Sequence, residues 1–151
     1  MTIKITPSEL ASWLVEQSPD AVIYSDLQGH IGLWNPAAAS MFGFSTEQAL
    51  GQSLDIIIPE KLRAAHWRGF DAAIAAGITK HSGKPMATKA LHADGSEFYV
   101  EMSFALIVGA QNEVIGTAAY ARDITQRYEK DRADRSRMLE LEKQLADLAR
   151  P

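Results

Sequence analysis

The hydrophobic pattern changes period several times along this chain. Residues 21–26 and 30–34 are short runs of apolar and aromatic character around Leu27-Gln28-Gly29, which predicts a β-hairpin. Between residues 60 and 76 the spacing lengthens. Leu62, His66, Phe70 and Ile74 recur every four residues, with Ala65, Gly69 and Ala73 beside them. That spacing predicts a helix with one apolar stripe that carries His66, stopped by Gly77. Residues 79–84 are polar and read as a loop. Residues 86–91, 97–108 and 113–121 return to strand-like runs, turned by His92-Ala93-Asp94-Gly95-Ser96 and by Gly109-Ala110-Gln111-Asn112.

Local signals place the remaining helices. Thr6-Pro7-Ser8-Glu9 has capping-box spacing with proline just inside, so a helix should run to about residue 17 and show Leu10, Trp13 and Leu14 on one side. Ser18-Pro19-Asp20 ends it. Asn35-Pro36 joins the second strand to a slim helix. Asparagine suits its cap, and proline at the first helical position lacks only an amide that would be unbonded anyway. Ser45-Thr46-Glu47-Gln48 repeats the capping-box spacing and opens a short helix closed by Gly51. After residue 125 basic and acidic side chains interleave, and Met138, Leu141, Leu145 and Leu148 follow three-four spacing, a coiled-coil seam of about two heptads. The expected architecture is therefore α+β: a five-stranded antiparallel sheet with helices on one face. Three segments follow: an N-terminal cap helix over 1–17, a domain over 18–125, and an amphipathic terminal helix over 126–151.

Composition narrows the function. The chain has 151 residues, enough for one domain with a core, and its 46% hydrophobic content argues against disorder. A formal charge of −4 argues against a protein built to bind nucleic acid, and the alternating charges of the last segment describe a solvated helix. No apolar run approaches a membrane span and the first residues lack a signal-peptide core, so a cytoplasmic location is expected. Cysteine is absent, which excludes disulfides, thiolate metal sites and a cysteine nucleophile. There is no Gly-rich phosphate loop, Gly-x-Ser-x-Gly elbow or His-Glu-x-x-His motif, and no histidine follows His92 to serve as a phospho-acceptor. The expectation is that the chain is not an enzyme.

Several motifs stand in one order: Asp20-Ala21-Val22, Leu33-Trp34-Asn35-Pro36-Ala37-Ala38, Phe42-Gly43-Phe44-Ser45, Gly51-Gln52-Ser53-Leu54, Ala93-Asp94-Gly95-Ser96-Glu97-Phe98 and Asp123-Ile124-Thr125. Together they resemble PAS sensory domains over roughly residues 18–125. The resemblance implies a sensor with a cavity between sheet and central helices, signalling through its terminal helices, often as a homodimer. It implies that Asp123, Ile124 and Thr125 hand the sheet over to an output helix. The branches of this family whose chromophore needs a cysteine are excluded, since the chain has none.

Within that resemblance, His66 in Pro59-Glu60-Lys61-Leu62-Arg63-Ala64-Ala65-His66 is similar to the helix histidine that ligates iron in heme-binding PAS sensors. A neutral imidazole on a rigid helix beside an apolar slot is a sound axial ligand. The alternative is a histidine that hydrogen-bonds a backbone carbonyl. The oxygen sensors of the family carry an arginine eight residues before the Asp-Gly turn, where this chain has Met86; a related branch has a methionine two residues earlier, where this chain has Lys84. Methionine donates no hydrogen bond to a bound gas, but it can ligate or form an apolar wall. By the same resemblance Val100, Met102 and Phe104 face the cavity from one strand, and Thr117, Ala119 and Ala121 from the last. The candidate cofactor-binding set is then His66, Phe70, Met86, Val100, Met102, Phe104 and Ala119, with heme as the candidate cofactor. Trp67 should face away from His66, and His30, His81 and His92 belong to turns or loops. The competing reading is a ligand-free interaction module with a filled core, pairing subunits through Leu10, Trp13, Leu14 and the Met138–Leu148 seam.

Overall fold

The computed structural model describes residues 3–80 and 83–151, so His81 lies outside the described residues. The Thr6 side chain accepts from the Glu9 amide while the Glu9 carboxylate accepts from the Thr6 amide, and helix α1 spans Pro7–Glu16. Strand β1, Ala21–Ser25, and strand β2, Ile31–Trp34, form the hairpin. Helix α2 covers Pro36–Phe42 and ends at Gly43, whose φ of +81° and contact with the His92 ring leave no room for a Cβ. Helix α3, Thr46–Ala49, is opened by a second capping box at Ser45 and Gln48, and a single 3-10 turn over Leu54–Ile57 follows. Helix α4 runs from Glu60 to Ala76 with Gly77 left-handed at its end, as the stripe predicts. Strands β3, Met86–Leu91, β4, Glu97–Val108, and β5, Val114–Asp123, complete the sheet; β5 runs two residues further than its hydrophobic pattern indicated. Helix α5 spans Thr125–Leu148.

The five strands are all antiparallel and ordered β2-β1-β5-β4-β3. The central strand β5 pairs Ala119 with Ile23 on one side and with Phe104 on the other, which brings the first and last strands of the chain together. The core lies between one sheet face and the middle helices. Trp34 packs on Phe42 at a ring separation of 5.4 Å and Phe42 on Phe98 at 5.5 Å. Helix α4 is held at its own distance by a separate anchor. The Trp67 indole donates to Asp55 Oδ1 at 2.8 Å and lies against Gly29 in the hairpin turn, while the Arg63 Nε donates to the Ile58 carbonyl at 3.0 Å. Among the described residues no helix is long and apolar enough to cross a membrane.

The joint at Asn35 ties three elements. Its Oδ1 accepts from the Val22 amide of β1 at 2.9 Å and from the Ala38 amide of α2 at 3.0 Å. Its Nδ2 donates to the Val15 carbonyl of α1 at 2.9 Å and to the Asp20 carbonyl at 3.1 Å. These four bonds use the full capacity of a primary amide, and the residue is 1% exposed. Truncation strands buried donors and acceptors on several segments at once. Asn35→Ala is expected to lower the unfolding free energy by about 3 kcal/mol or more, and Asn35→Asp, which keeps the acceptors and loses the donors, to be destabilising as well. Urea unfolding followed by tryptophan fluorescence measures both.

Candidate functional site

Small residues on both layers set the site. Ala65, Gly69 and Ala73 on α4 face Ala119 and Thr117 on β5, and the gap between them is a cavity of about 410 Å³. This is within the range of small-molecule sites. Apolar side chains make most of the wall: Phe70 and Leu62 from α4, Met86 from β3, Met102 and Phe104 from β4. Of the residues singled out in the sequence, His66, Phe70, Met86, Met102, Phe104 and Ala119 are brought together on this cavity. Val100 is not. It has no exposed surface and belongs to the filled part of the core, two positions along β4 from Phe98, whose ring packs on Phe42. Ala121 is buried in the same way. The resemblance, with strand alternation, put both on the inner face, but that end of the sheet is filled by the core that holds Phe42 and Phe98.

His66 is on the wall, and its Nδ1 is sealed from solvent with no hydrogen-bond partner among the described residues. The reading in which it serves a backbone carbonyl therefore finds no support in the geometry. Burial pushes the imidazole below its ordinary 6.5, partly offset by the Asp55 carboxylate, so the ring is neutral near pH 7. Trp67 points out of the cavity toward Asp55, although its ring still meets the His66 ring edge-on at 4.8 Å. Three hydroxyls that the hydrophobic pattern did not single out as wall also line the space: Ser25, Thr79 and Thr88. Ser25 shares a hydrogen bond of 2.9 Å with Thr117, and Thr79 Oγ1 is, after His66 Nδ1, a second buried polar atom without a partner among the described residues. The alternation of β1 could have flagged Ser25, since it follows Ala21 and Ile23 on the inward face.

As a heme site, the residues fit on one side. A neutral imidazole on a rigid helix, with no internal partner claiming it, faces an apolar slot of Phe70, Met102 and Phe104. The sheet side offers Met86, a thioether that can ligate but cannot donate a hydrogen bond. No group of three or more histidine and carboxylate side chains that could hold a free metal ion occurs among the described residues.

The triplet Asp123-Ile124-Thr125 lies at the end of β5. Asp123 Oδ1 accepts from the Thr125 amide at 2.9 Å. The buried Ile124 donates its amide to the Tyr99 carbonyl at 2.9 Å, and Thr125 Oγ1 accepts from the Tyr99 amide at 3.1 Å. Two further contacts extend this grip. Tyr128 stacks on Tyr99 at 3.8 Å, and Arg127 donates to Glu101 at 3.0 Å. Tyr99 and Glu101 alternate along β4 with the cavity residue Met102, so one strand carries the cavity floor on one face and the helix clamp on the other.

The depressed basicity of His66 has a signed consequence. Below about pH 6.5 the unfolded chain takes up a proton that the folded chain resists, so stability falls as pH drops through this range, and the loss levels off below the folded value. The urea midpoint of the wild type should therefore fall more between about pH 7 and about pH 5 than that of His66→Gln, which has no such proton to take up. Parallel midpoints for the two proteins would show that His66 is not buried as described.

The comparisons with known proteins agree with this geometry. A family model described as PAS fold matches residues 15–129. An uncharacterized protein of Azorhizobium caulinodans is 31% identical over 121 residues, 80% of this chain and 16% of that protein. The sensor protein FixL of Bradyrhizobium diazoefficiens is 44% identical over 48 residues, 32% of this chain and 10% of FixL. The chain thus spans only a small part of the length of these curated relatives. Among solved structures, the PAS domain of a protein from Colwellia psychrerythraea matches with a TM-score of 0.71 at 24% identity, covering 80% of this chain and 99% of that one. With its ordered motifs, its five-stranded sheet under a helical cover and most of its length matched by the family model, the chain belongs to the PAS fold family of sensory domains.

Proposed function

We propose that this domain is a non-enzymatic input module that binds a small molecule between α4 and the sheet and transmits occupancy to α5. The cavity of about 410 Å³ carries this reading, because a ligand-free interaction module would be expected to fill that space with side chains. An occupant presses on Met102 and Phe104, on the inner face of β4. The outer face of the same strand grips the start of α5 through Tyr99 and Glu101. A small twist of β4 changes the angle at which α5 leaves the domain, with Asp123, Ile124 and Thr125 as the joint. The ligand must bind the two arrangements unequally for this to work.

The output is proposed to be a homodimer. Met138, Leu141, Leu145 and Leu148 lie exposed along α5 at three-four spacing, the seam a second copy of the helix would cover. Leu10, Trp13 and Leu14 of α1 are likewise exposed and suited to the sheet of a partner subunit. The proposed setting is the cytoplasm, with a signalling protein downstream and no role for nucleic acid or membrane.

Heme is the second reading of the occupant, favoured by His66 and by the partial likeness to FixL. His66 would hold the group, with Met86 on the opposing wall, and the bound heme would supply a site that responds to a diatomic gas or to redox change. Hemin added to the purified protein should then give a sharp Soret band that His66→Ala abolishes. If it gives none, native mass spectrometry of the isolated protein should reveal a retained organic molecule. Neither a band nor a retained or added ligand would leave the interaction module as the better account. For the relay, Asp123→Ala is expected to keep ligand affinity within about twofold, since it touches no cavity atom, while changing the helix separation measured by spin labels on α5. Unchanged separation would remove Asp123 from the relay.

A further inference from the structure

The polar groups of the cavity are sorted by position. At one end of the floor Ser25 of β1 and Thr117 of β5 stand opposite each other and share a hydrogen bond of 2.9 Å. Thr117 is paired across the sheet with Leu106 of β4, and Met102 lies four residues back along that strand, about 13 Å away at the rise of an antiparallel strand. There Met102 is paired with Met86, so two thioethers lie side by side. Phe104 occupies the step between the two ends. The floor therefore has a hydroxyl end and a sulfur end, under a helix that offers His66.

The hydroxyl end has spare capacity. Two hydroxyls carry two protons and four lone pairs, and their mutual bond uses one proton and one lone pair. Ser25 is buried at 1% exposure, so the half-buried Thr117 is the member of the pair that a ligand reaches, with Ser25 behind it. The sulfur end suits aromatic rings, since thioethers make favourable contacts with them and are easily deformed. Charge is the third constraint. Two lysines belong to the wall, but the Lys89 ammonium is turned to the Glu97 carboxylate at 3.2 Å and to the Tyr99 ring, and Lys80 is exposed to solvent. Inside the cavity the described polar groups are hydroxyls and one neutral imidazole. An ionised ligand buried there would lose its hydration without gaining a counter-charge.

We infer that the cavity takes an uncharged aromatic molecule, its ring body against Met86, Met102 and Phe104 and a hydroxyl, carbonyl or ring N–H on the Ser25–Thr117 pair. This rests on the reading of the cavity as a site for an organic ligand, and it adds the class and orientation of that ligand.

Three probes of one shape test it: 2-naphthol, 2-naphthoate and naphthalene, each titrated calorimetrically into the full chain. The expected order is 2-naphthol tightest, with 2-naphthoate at least about tenfold weaker because its charge is desolvated. Thr117→Val keeps the side-chain shape and removes the hydroxyl. It should weaken 2-naphthol by about fivefold to tenfold, the scale of one hydrogen bond, and leave naphthalene within about twofold. The Ser25→Ala, Thr117→Val double variant removes both partners and strands neither hydroxyl; it serves if the single variant folds poorly and should show the same selective loss. Equal or tighter binding of 2-naphthoate would overturn the neutral class while leaving the cavity reading intact. Equal loss for 2-naphthol and naphthalene would overturn the orientation. If none of the three binds to protein shown folded by circular dichroism, the cavity is not an organic-ligand site and both the reading and this inference fall.

Discussion

One buried amide holds the domain in register. Asn35 bonds simultaneously to β1, to α2, to the end of α1 and to the segment that enters the sheet. Its four partners are backbone groups: the Val22 amide of β1, the Ala38 amide in the first turn of α2, the Val15 carbonyl near the end of α1 and the Asp20 carbonyl before β1. Everything on the far side of the sheet depends on this fixing. It sets the angle at which α2 leaves β2, and so where Phe42 sits. Phe42 then packs on Trp34 and Phe98 and fills one end of the space beneath the helices. The other end is left open because α4 is positioned by Asp55 and Gly29 through Trp67, away from that packed end.

That division explains why a domain with a dense core also contains a cavity. The stabilising burial is concentrated in Phe42, Ile23, Val100 and their neighbours, all with almost no exposed surface. The α4 half needs no comparable burial, since it is tied by polar contacts at its edge. Alanine and glycine on its inner side, and alanine and threonine on β5, then leave volume rather than contact. A histidine whose Nδ1 has no partner among the described residues is tolerated in such a place at some cost in stability, a cost that a structural role would not explain.

Strand β4 links the two halves of the molecule. Its alternate side chains face the cavity on one side and hold α5 on the other, through the Tyr99–Tyr128 stack and the Glu101–Arg127 pair. Few contacts join α5 to the rest beyond its first turn, and none of its residues is buried. A helix held to its own domain mainly at its root is suited to transmit a change of angle, because little else in the domain resists it.

The sequence by itself determined the local events, because those depend on residues three or four apart. Both capping boxes, the Asn35-Pro36 joint, the glycine stop at Gly77 and the hairpins all appear where their chemistry placed them. The helical period put His66 and Phe70 on the inner side of α4, and the family resemblance, extended by strand alternation, put Met102, Phe104 and Ala119 on the inner side of the sheet. Periodicity gives the direction of a side chain but not the distance to what it faces. Only the tertiary structure decided that Val100 lies in the filled core with Phe42 and Phe98 while Phe104, two turns of the pleat further on, lines the cavity. The same limit concealed the Ser25–Thr117 hydroxyl pair and the Tyr99–Tyr128 stack, which join residues far apart in the chain. Whether an apolar face becomes core or cavity depends on the separation of two layers, and that separation is set by distant contacts such as Trp67 on Asp55.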